Sequence, residues 1–197
     1  LYAAMLPKMD GGHLAKIVFG PRYHTLVGVQ RGTVAAAITF RLHNADPPRA
    51  PDQAGSSSDD AAAAAGGGGR FAELSLCAVL RRLQVKGLGT RMVNRFKREM
   101  VGRGVRRVLT VADDWAIGFW TQQGFSRRVT MPKEQWRHKV MECTGGVMME
   151  CMLYDGLPYT RLPQAVRAAR AVAMRDFEPA PWRAEWGDDP RPLQEAA

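Results

Sequence analysis

The sequence predicts an α/β fold, a central sheet flanked by helices. Three observations lead there. Short apolar runs of strand length recur between turn signals along most of the chain. One of them, Phe71–Leu80, is followed by a glycine-rich turn and a helical pattern. Beyond that helix, strand-like and helix-like segments continue to alternate as far as Leu153.

Leu14–Phe19 and Thr25–Gln30 read as short strands, with Gly20-Pro21 and Gln30-Arg31-Gly32 as the turn signals between and after them. Thr33–Leu42 reads as a third strand. From His43 to Arg70 the composition changes abruptly to Pro, Asp and Ser and then to AAAAAGGGG. Such a segment cannot bury enough apolar surface to offset the cost of ordering, and it reads as a low-complexity, disordered insertion at 43–70. Phe71–Leu80 is the next strand. In the helix that follows, Leu88 to about Arg103, Met92, Val93, Phe96 and Met100 fall at helical spacing and mark a buried face; Gly102 and Gly104 end it. Arg107–Ala112 is a strand, Trp115–Gln123 a helix ended by Gly124, Phe125–Thr130 another strand, and Gly146–Leu153 the last. Residues 1–160 therefore read as one domain and 161–197 as a tail. The tail holds a helix, Leu162–Phe177, with a basic solvated face (Arg167, Arg170, Arg175), and then an extended Pro/Trp/Asp-rich end.

A chain of 197 residues that is 46% hydrophobic can bury a substantial single core. It contains no apolar run of membrane-spanning length and no signal-peptide pattern, so no membrane association is expected. Cys77, Cys143 and Cys151 are too few and too irregular for a disulfide framework or a zinc site, and each reads as a buried small hydrophobe in a reducing compartment. His13, His24, His43 and His138 lack ligand-like spacing, so no metal is expected. The formal net charge of +9 suits phosphates or nucleic acid. No helix-turn-helix, zinc or RNP pattern accompanies it, and no specific nucleic-acid binding is expected.

The chemistry concentrates between Glu73 and Thr90. Glu73 lies within the apolar strand, where desolvation would raise a carboxyl pKa towards the range of a general base. Alternation puts Phe71, Glu73 and Ser75 on one side, so a glutamate on a solvated face is the plain alternative. Downstream, Gln84-Val85-Lys86-Gly87-Leu88-Gly89 opens the helix. A glycine turn at a helix N-terminus directs unpaired N–H groups and the positive end of the helix dipole at an anion. By itself such a turn is equally a tight strand-to-helix connection.

QVKGLG matches the Q/R-x-x-G-x-G/A motif of the GNAT acetyltransferase superfamily, which cradles the pyrophosphate of acetyl-CoA. From Leu6 to about Tyr159 the chain resembles, in order, the blocks of the PCAF-type nuclear histone lysine acetyltransferases: LPKM, LAKIVF, ITFR, ELSLCAV, QVKGLGTRMVNRFK, ADDWAIGFWTQQGF, GGVMMECML and PYT. The resemblance implies the GNAT acetyltransferase fold, a mixed, twisted central sheet of parallel and antiparallel strands flanked by helices, with a splayed strand pair at the acetyl-CoA site. It implies Glu73 as the general base of an E-x-x-x-C-A-V/I run, and main-chain contacts from Cys77, Ala78 and Val79 to the pantetheine arm. The Cys77 N–H would meet the thioester oxygen in an oxyanion role, and the thiol need not be a nucleophile. Gln84 would start the cradle, and Val85, Lys86, Gly87, Leu88, Gly89 and Thr90 would form it. Ala116 and Phe119 would line the cofactor side, with Trp120 in the core.

The activity implied is transfer of acetyl from acetyl-CoA to a histone-tail lysine, with H3 as the expected tail, by direct attack in a ternary complex. The setting implied is a nuclear, multisubunit transcriptional coactivator complex. A lysine ammonium, with a reference pKa of about 10.4, must lose a proton before it can attack, which is why a base is needed. Departures fall on the peptide side. Thr110-Val111-Ala112-Asp113 stands where the family reads TYAD, and Met141-Glu142-Cys143-Thr144-Gly145-Gly146 where it reads KDYEGG; Phe119 replaces a tyrosine. These keep two other readings open: an acetyltransferase for a non-histone protein or small amine, and a weakly catalytic acyl-CoA-binding scaffold.

Overall fold

The computed structural model describes residues 1–44, 69–141 and 145–175. The chain divides into two compact units, Leu1–Thr160 and Arg161–Ala197. The first is built on a five-stranded sheet of order β1-β2-β3-β4-β5, with β1 Tyr23–Gln30, β2 Thr33–Asn44, β3 Arg70–Val79, β4 Arg107–Ala112 and β5 Val147–Met152. Among these described strands only β3 and β4 run parallel. Helices α1 (Tyr2–Met5) and α2 (Gly11–Val18) precede the sheet, α3 (Leu88–Gly102) joins β3 to β4, and α4 (Ile117–Gln122) and α5 (Lys133–Trp136) lie between β4 and β5. In the second unit, α6 (Leu162–Arg175) is the described element, and Val166, Val172 and Met174 on it are exposed. Among the described residues no helix is long and apolar enough to cross a membrane.

The expected buried face of α3 is the one that packs. Met92, Val93, Phe96 and Met100 join Ala36, Ile38, Phe40, Ala72 and Leu74 of the sheet in the main core, with Trp120 and Phe125 closing it. The other sheet face is covered by Tyr2, Leu14 and Ile17 over Ala37, Leu76 and Ala78.

Leu14–Phe19 is not a strand. Asp10 caps a helix there, its Oδ2 accepting the His13 N–H at 2.9 Å, and the buried Leu14 and Ile17 stand three residues apart on one face. A short apolar run fits either period, and the cap decides it. Phe125–Thr130 is not a strand either. It makes the isolated bridge Ser126↔Glu150, after which side chains take over its backbone groups. Ser126 Oγ accepts the Arg128 N–H, and the Glu150 carboxylate accepts both the N–H and the hydroxyl of Thr130. His43, Asn44 and Arg70, expected inside the insertion, are strand residues, with His43 opposite Phe71 and Asn44 opposite Arg70. The remainder of that expected insertion, 45–68, lies outside the described residues. So do Glu142, Cys143 and Thr144 and the end of the chain beyond Arg175.

Candidate active site

A bulge in β3 builds the site. Across β2, Phe40 faces Leu74 and Thr39 faces Leu76, which leaves Ser75 as an extra residue. The alternation of β3 therefore flips at Ser75. Ala72 and Leu74 point into the α3 core, whereas Leu76 and Ala78 point to the opposite face. Ser75 itself keeps the expected side, its hydroxyl donating to Glu73 Oε1 at 3.3 Å, and strict alternation fails only from Leu76 onward. A bulge also bends its strand, and here pairing with β4 stops at Leu74↔Thr110 while β3 continues to Val79. Thr110 Oγ1 donates to the Leu74 carbonyl at the fork, 2.8 Å away.

Beyond the fork one edge of β3 faces a gap. Leu80 N donates to Ala35 O on the β2 side, so by alternation the main chain of Ala78 also faces β2 and that of Cys77 and Val79 faces the gap. The Val79 carbonyl is turned away from β2 and accepts from Gln84 Nε2 at 2.9 Å. The Cys77 thiol is pushed up to about 12 by desolvation, which keeps it protonated at neutral pH and speaks against a thiolate nucleophile.

Past the gap comes the glycine turn. Gly87 caps α3 with φ 77°, in the left-handed region that favours glycine, and Val85 takes φ 59° with its side chain in solvent. The first α-helical bond of α3 runs from Arg91 N to Gly87 O, so the amides of Leu88, Gly89 and Thr90 leave the helix end without intrahelical acceptors. Lys86, Arg81 and Arg82 stand exposed around this turn. A Cβ added at Gly89 would lie 3.3 Å from Cε2 and Cζ of Phe119, so the glycine lets that half-buried ring close against α3. Trp120 is buried between Phe119 and Phe125, edge-on to both. Ala116 sits at the N-cap of α4, its N–H meeting Asp113 Oδ1 at 3.0 Å.

Glu73 is 2% exposed and fully engaged. Oε2 receives Arg41 Nε at 2.6 Å and is 2.8 Å from His43 Nε2. Oε1 receives the Met141 N–H at 3.1 Å and the Ser75 hydroxyl at 3.3 Å. Arg41 also donates to the Lys139 carbonyl and lies over the Tyr23 ring. The expected upward shift of the Glu73 carboxyl is not what results. Burial pushes it up, but the hydrogen bonds from His43, Arg41 and the Met141 N–H outweigh burial, and it lies below its ordinary value of 4.5.

Arg41, His43, Ser75 and Met141 are the residues that sequence reasoning missed. A signal existed for two of them. Arg41 and His43 stand two apart, hence on one face, at the end of an apolar strand that pairs with the strand of Glu73. Nothing local marks Met141, whose contact spans 68 residues. Asp113 holds the Ala116 N–H ahead of α4 and Glu73 is paired, so these two acidic residues do not form an open groove.

The sequence pattern of the acetyltransferase (GNAT) family matches residues 6–125. Histone acetyltransferase GCN5 of Oryza sativa subsp. japonica is 28% identical over 171 residues, covering 86% of this chain and 29% of that protein. Its namesake in Yarrowia lipolytica is 28% identical over 175 residues, 87% of this chain and 32% of that protein. The chain thus spans about a third of the length of these relatives. Among solved structures, GCN5 of Tetrahymena superimposes with a TM-score of 0.62 at 29% identity, covering 79% of this chain and 84% of that one. The catalytic domain of Tetrahymena GCN5 histone acetyltransferase in complex with coenzyme A gives 0.55 at 31% identity, covering 80% and 82%.

Proposed function

Because this chain belongs to the GNAT acetyltransferase family, and within it to the GCN5/PCAF type, we propose that it transfers acetyl from acetyl-CoA to a histone-tail lysine, that of H3, in a nuclear coactivator complex. The observation that carries this reading is the junction of two features in one place. A gap in the sheet is edged by the main chain of Cys77 and Val79, and it leads to the N-terminus of α3, with the partnered carboxylate of Glu73 four residues upstream of Cys77.

The residues fit acetyl-CoA. A strand edge without a β4 partner offers main-chain groups to an amide-bearing arm, and the amides of Leu88, Gly89 and Thr90 suit a pyrophosphate. Lys86 adds charge, and Phe119 lines the side by Gly89. When bound, the cofactor supplies an acetyl thioester; the lysine nitrogen bonds the acyl carbon, the carbon–sulfur bond breaks, and CoA leaves as the thiol.

The Cys77 N–H faces the gap and is assigned to the oxyanion. Glu73 is assigned to the proton. A carboxylate held below 4.5 is ionised at every working pH, so through a water it takes the proton that the lysine ammonium loses before attack and releases it to solvent, while the second proton passes from the nitrogen to the departing CoA sulfur. Ser75 makes the longest of the four contacts to Glu73 and lies on the strand towards Cys77. Its place on Oε1 is the one that a water bridging to the lysine takes.

The experiment is transfer of labelled acetyl to an H3-tail peptide by the wild type and Glu73→Gln, with acetyl-CoA affinity measured on both. The expected result is turnover reduced by about 10²–10⁴ in the variant with affinity retained. The donors crowding Glu73 favour a second reading, a CoA-binding scaffold of weak activity. Tight CoA binding with no transfer to H3 by the wild type would overturn the H3 assignment. Equal turnover in both forms would remove Glu73 from the mechanism.

A further inference from the structure

Glu73 shares Oε2 between two donors of different character. Arg41 is permanently cationic, and its Nε lies 2.6 Å away. His43, 2.8 Å away, is a side chain of the type that changes charge between about pH 5 and 8. The other two contacts, the Ser75 hydroxyl and the Met141 N–H, are neutral at all working pH. Among the described residues, His43 is thus the one direct partner of the carboxylate able to alter the charge around it near neutrality.

The ring is also held. It stacks on Phe71, centroids 4.8 Å apart with 19° between the planes, and it lies opposite Phe71 in the β2–β3 register. Its side chain is 12% exposed, enough to exchange protons with water without leaving the pair. Charged and titratable groups surround it among the described residues. Glu73 faces it from β3, and Arg41 lies on its own strand with Tyr23 of β1 against the guanidinium. Lys139, in the loop after α5, donates to the Asn44 carbonyl next along β2. Arg70 and Arg107 occupy adjoining register positions on β3 and β4.

Resting on the reading of Glu73 as the base, we propose that His43 is a positioning residue that gates it. As neutral imidazole, His43 donates Nε2–H to Oε2 and fixes the carboxylate beside a single cation. As imidazolium, it places a second cation on the same buried oxygen. The proton affinity of Glu73 then falls, because a charge a few ångströms away in a poorly solvated site acts strongly. Acetyl transfer therefore switches on as the ring loses its proton, and the acid limb of the turnover profile belongs to His43.

The test compares kcat from pH 5.5 to 8.5 for the wild type, His43→Gln and Glu73→Gln with one acceptor peptide, each normalised to its own value at pH 8. The acceptor's own ionisation is common to all and cancels. A glutamine amide keeps an N–H for Oε2 and carries no charge. With the fall common to both forms divided out, the wild type should lose about tenfold more per pH unit than His43→Gln at the acid end of the range. A readout independent of turnover is the NMR titration of the His43 ring in the apoprotein. It should coincide with the wild-type acid limb and move to lower pH in Glu73→Gln, which removes the anionic partner.

Matching normalised profiles for the wild type and His43→Gln, with Glu73→Gln inactive, would overturn the gate and leave the base in place. Full turnover in Glu73→Gln would remove the base itself. Should His43→Gln fail to fold, the ring titration decides alone, and an unmoved titration in Glu73→Gln sinks the proposal.

Discussion

Glu73 shows how far a residue type leads and where it stops. A carboxylate in an apolar strand is readable as a candidate base, yet its environment is assembled from Arg41, His43 and Met141, which are 32, 30 and 68 residues away in the chain. Those partners reverse the expected direction of its pKa, because charge-assisted hydrogen bonds outweigh desolvation. The reversal has a consequence for stability. The folded carboxyl lies below its ordinary 4.5, so the paired carboxylate stabilises the fold fully above that value. The contribution is lost as pH falls through the folded value. Glu73→Gln, which leaves an amide oxygen for Arg41, should cost on the order of 1–3 kcal/mol at pH 7. The difference in Tm between wild type and variant should shrink steadily below about pH 4. A difference that stays constant down to pH 3 would show that the ion pair contributes nothing.

Among the elements, α3 was legible because four long apolar side chains at helical spacing outweigh any local ambiguity, and all four are buried in the main core. The helix α2 was misread as a strand because eight residues cannot establish a period, and the Asp10 cap was the missing signal. The β3 bulge left no mark in the sequence, since Ser75 is an ordinary strand residue until its pairing with β2 skips it. At the glycine turn before α3, Gly87→Ala puts a Cβ on a residue at φ 77°. The space is open, so the penalty is conformational, about 1 kcal/mol. The expected outcome is a Tm lower by several degrees together with weaker acetyl-CoA binding, read by calorimetry. An unchanged affinity would separate the turn from the cofactor.

At the scale of the molecule, β2 and β3 remain paired as far as Asn44↔Arg70, so the two strands reach the base of their connection. Replacing 45–69 with a short turn should leave β2–β3 and acetyl-CoA affinity intact. The stability change should be on the order of 1 kcal/mol, because closure entropy grows only logarithmically with loop length. A chain that no longer binds acetyl-CoA after this replacement would give the segment a role in the site. By itself the sequence determined the alternation of strands and helices, the buried face of α3, the glycine turn and the identity of the candidate base. Each rests on local periodicity or on residue chemistry carried in a few consecutive positions. Only the tertiary structure decided the reversal of β3 at Ser75, the gap beyond Leu74↔Thr110 and the company kept by Glu73. Strand register and long-range pairing are set by the packing of the whole sheet, and no window of sequence contains them.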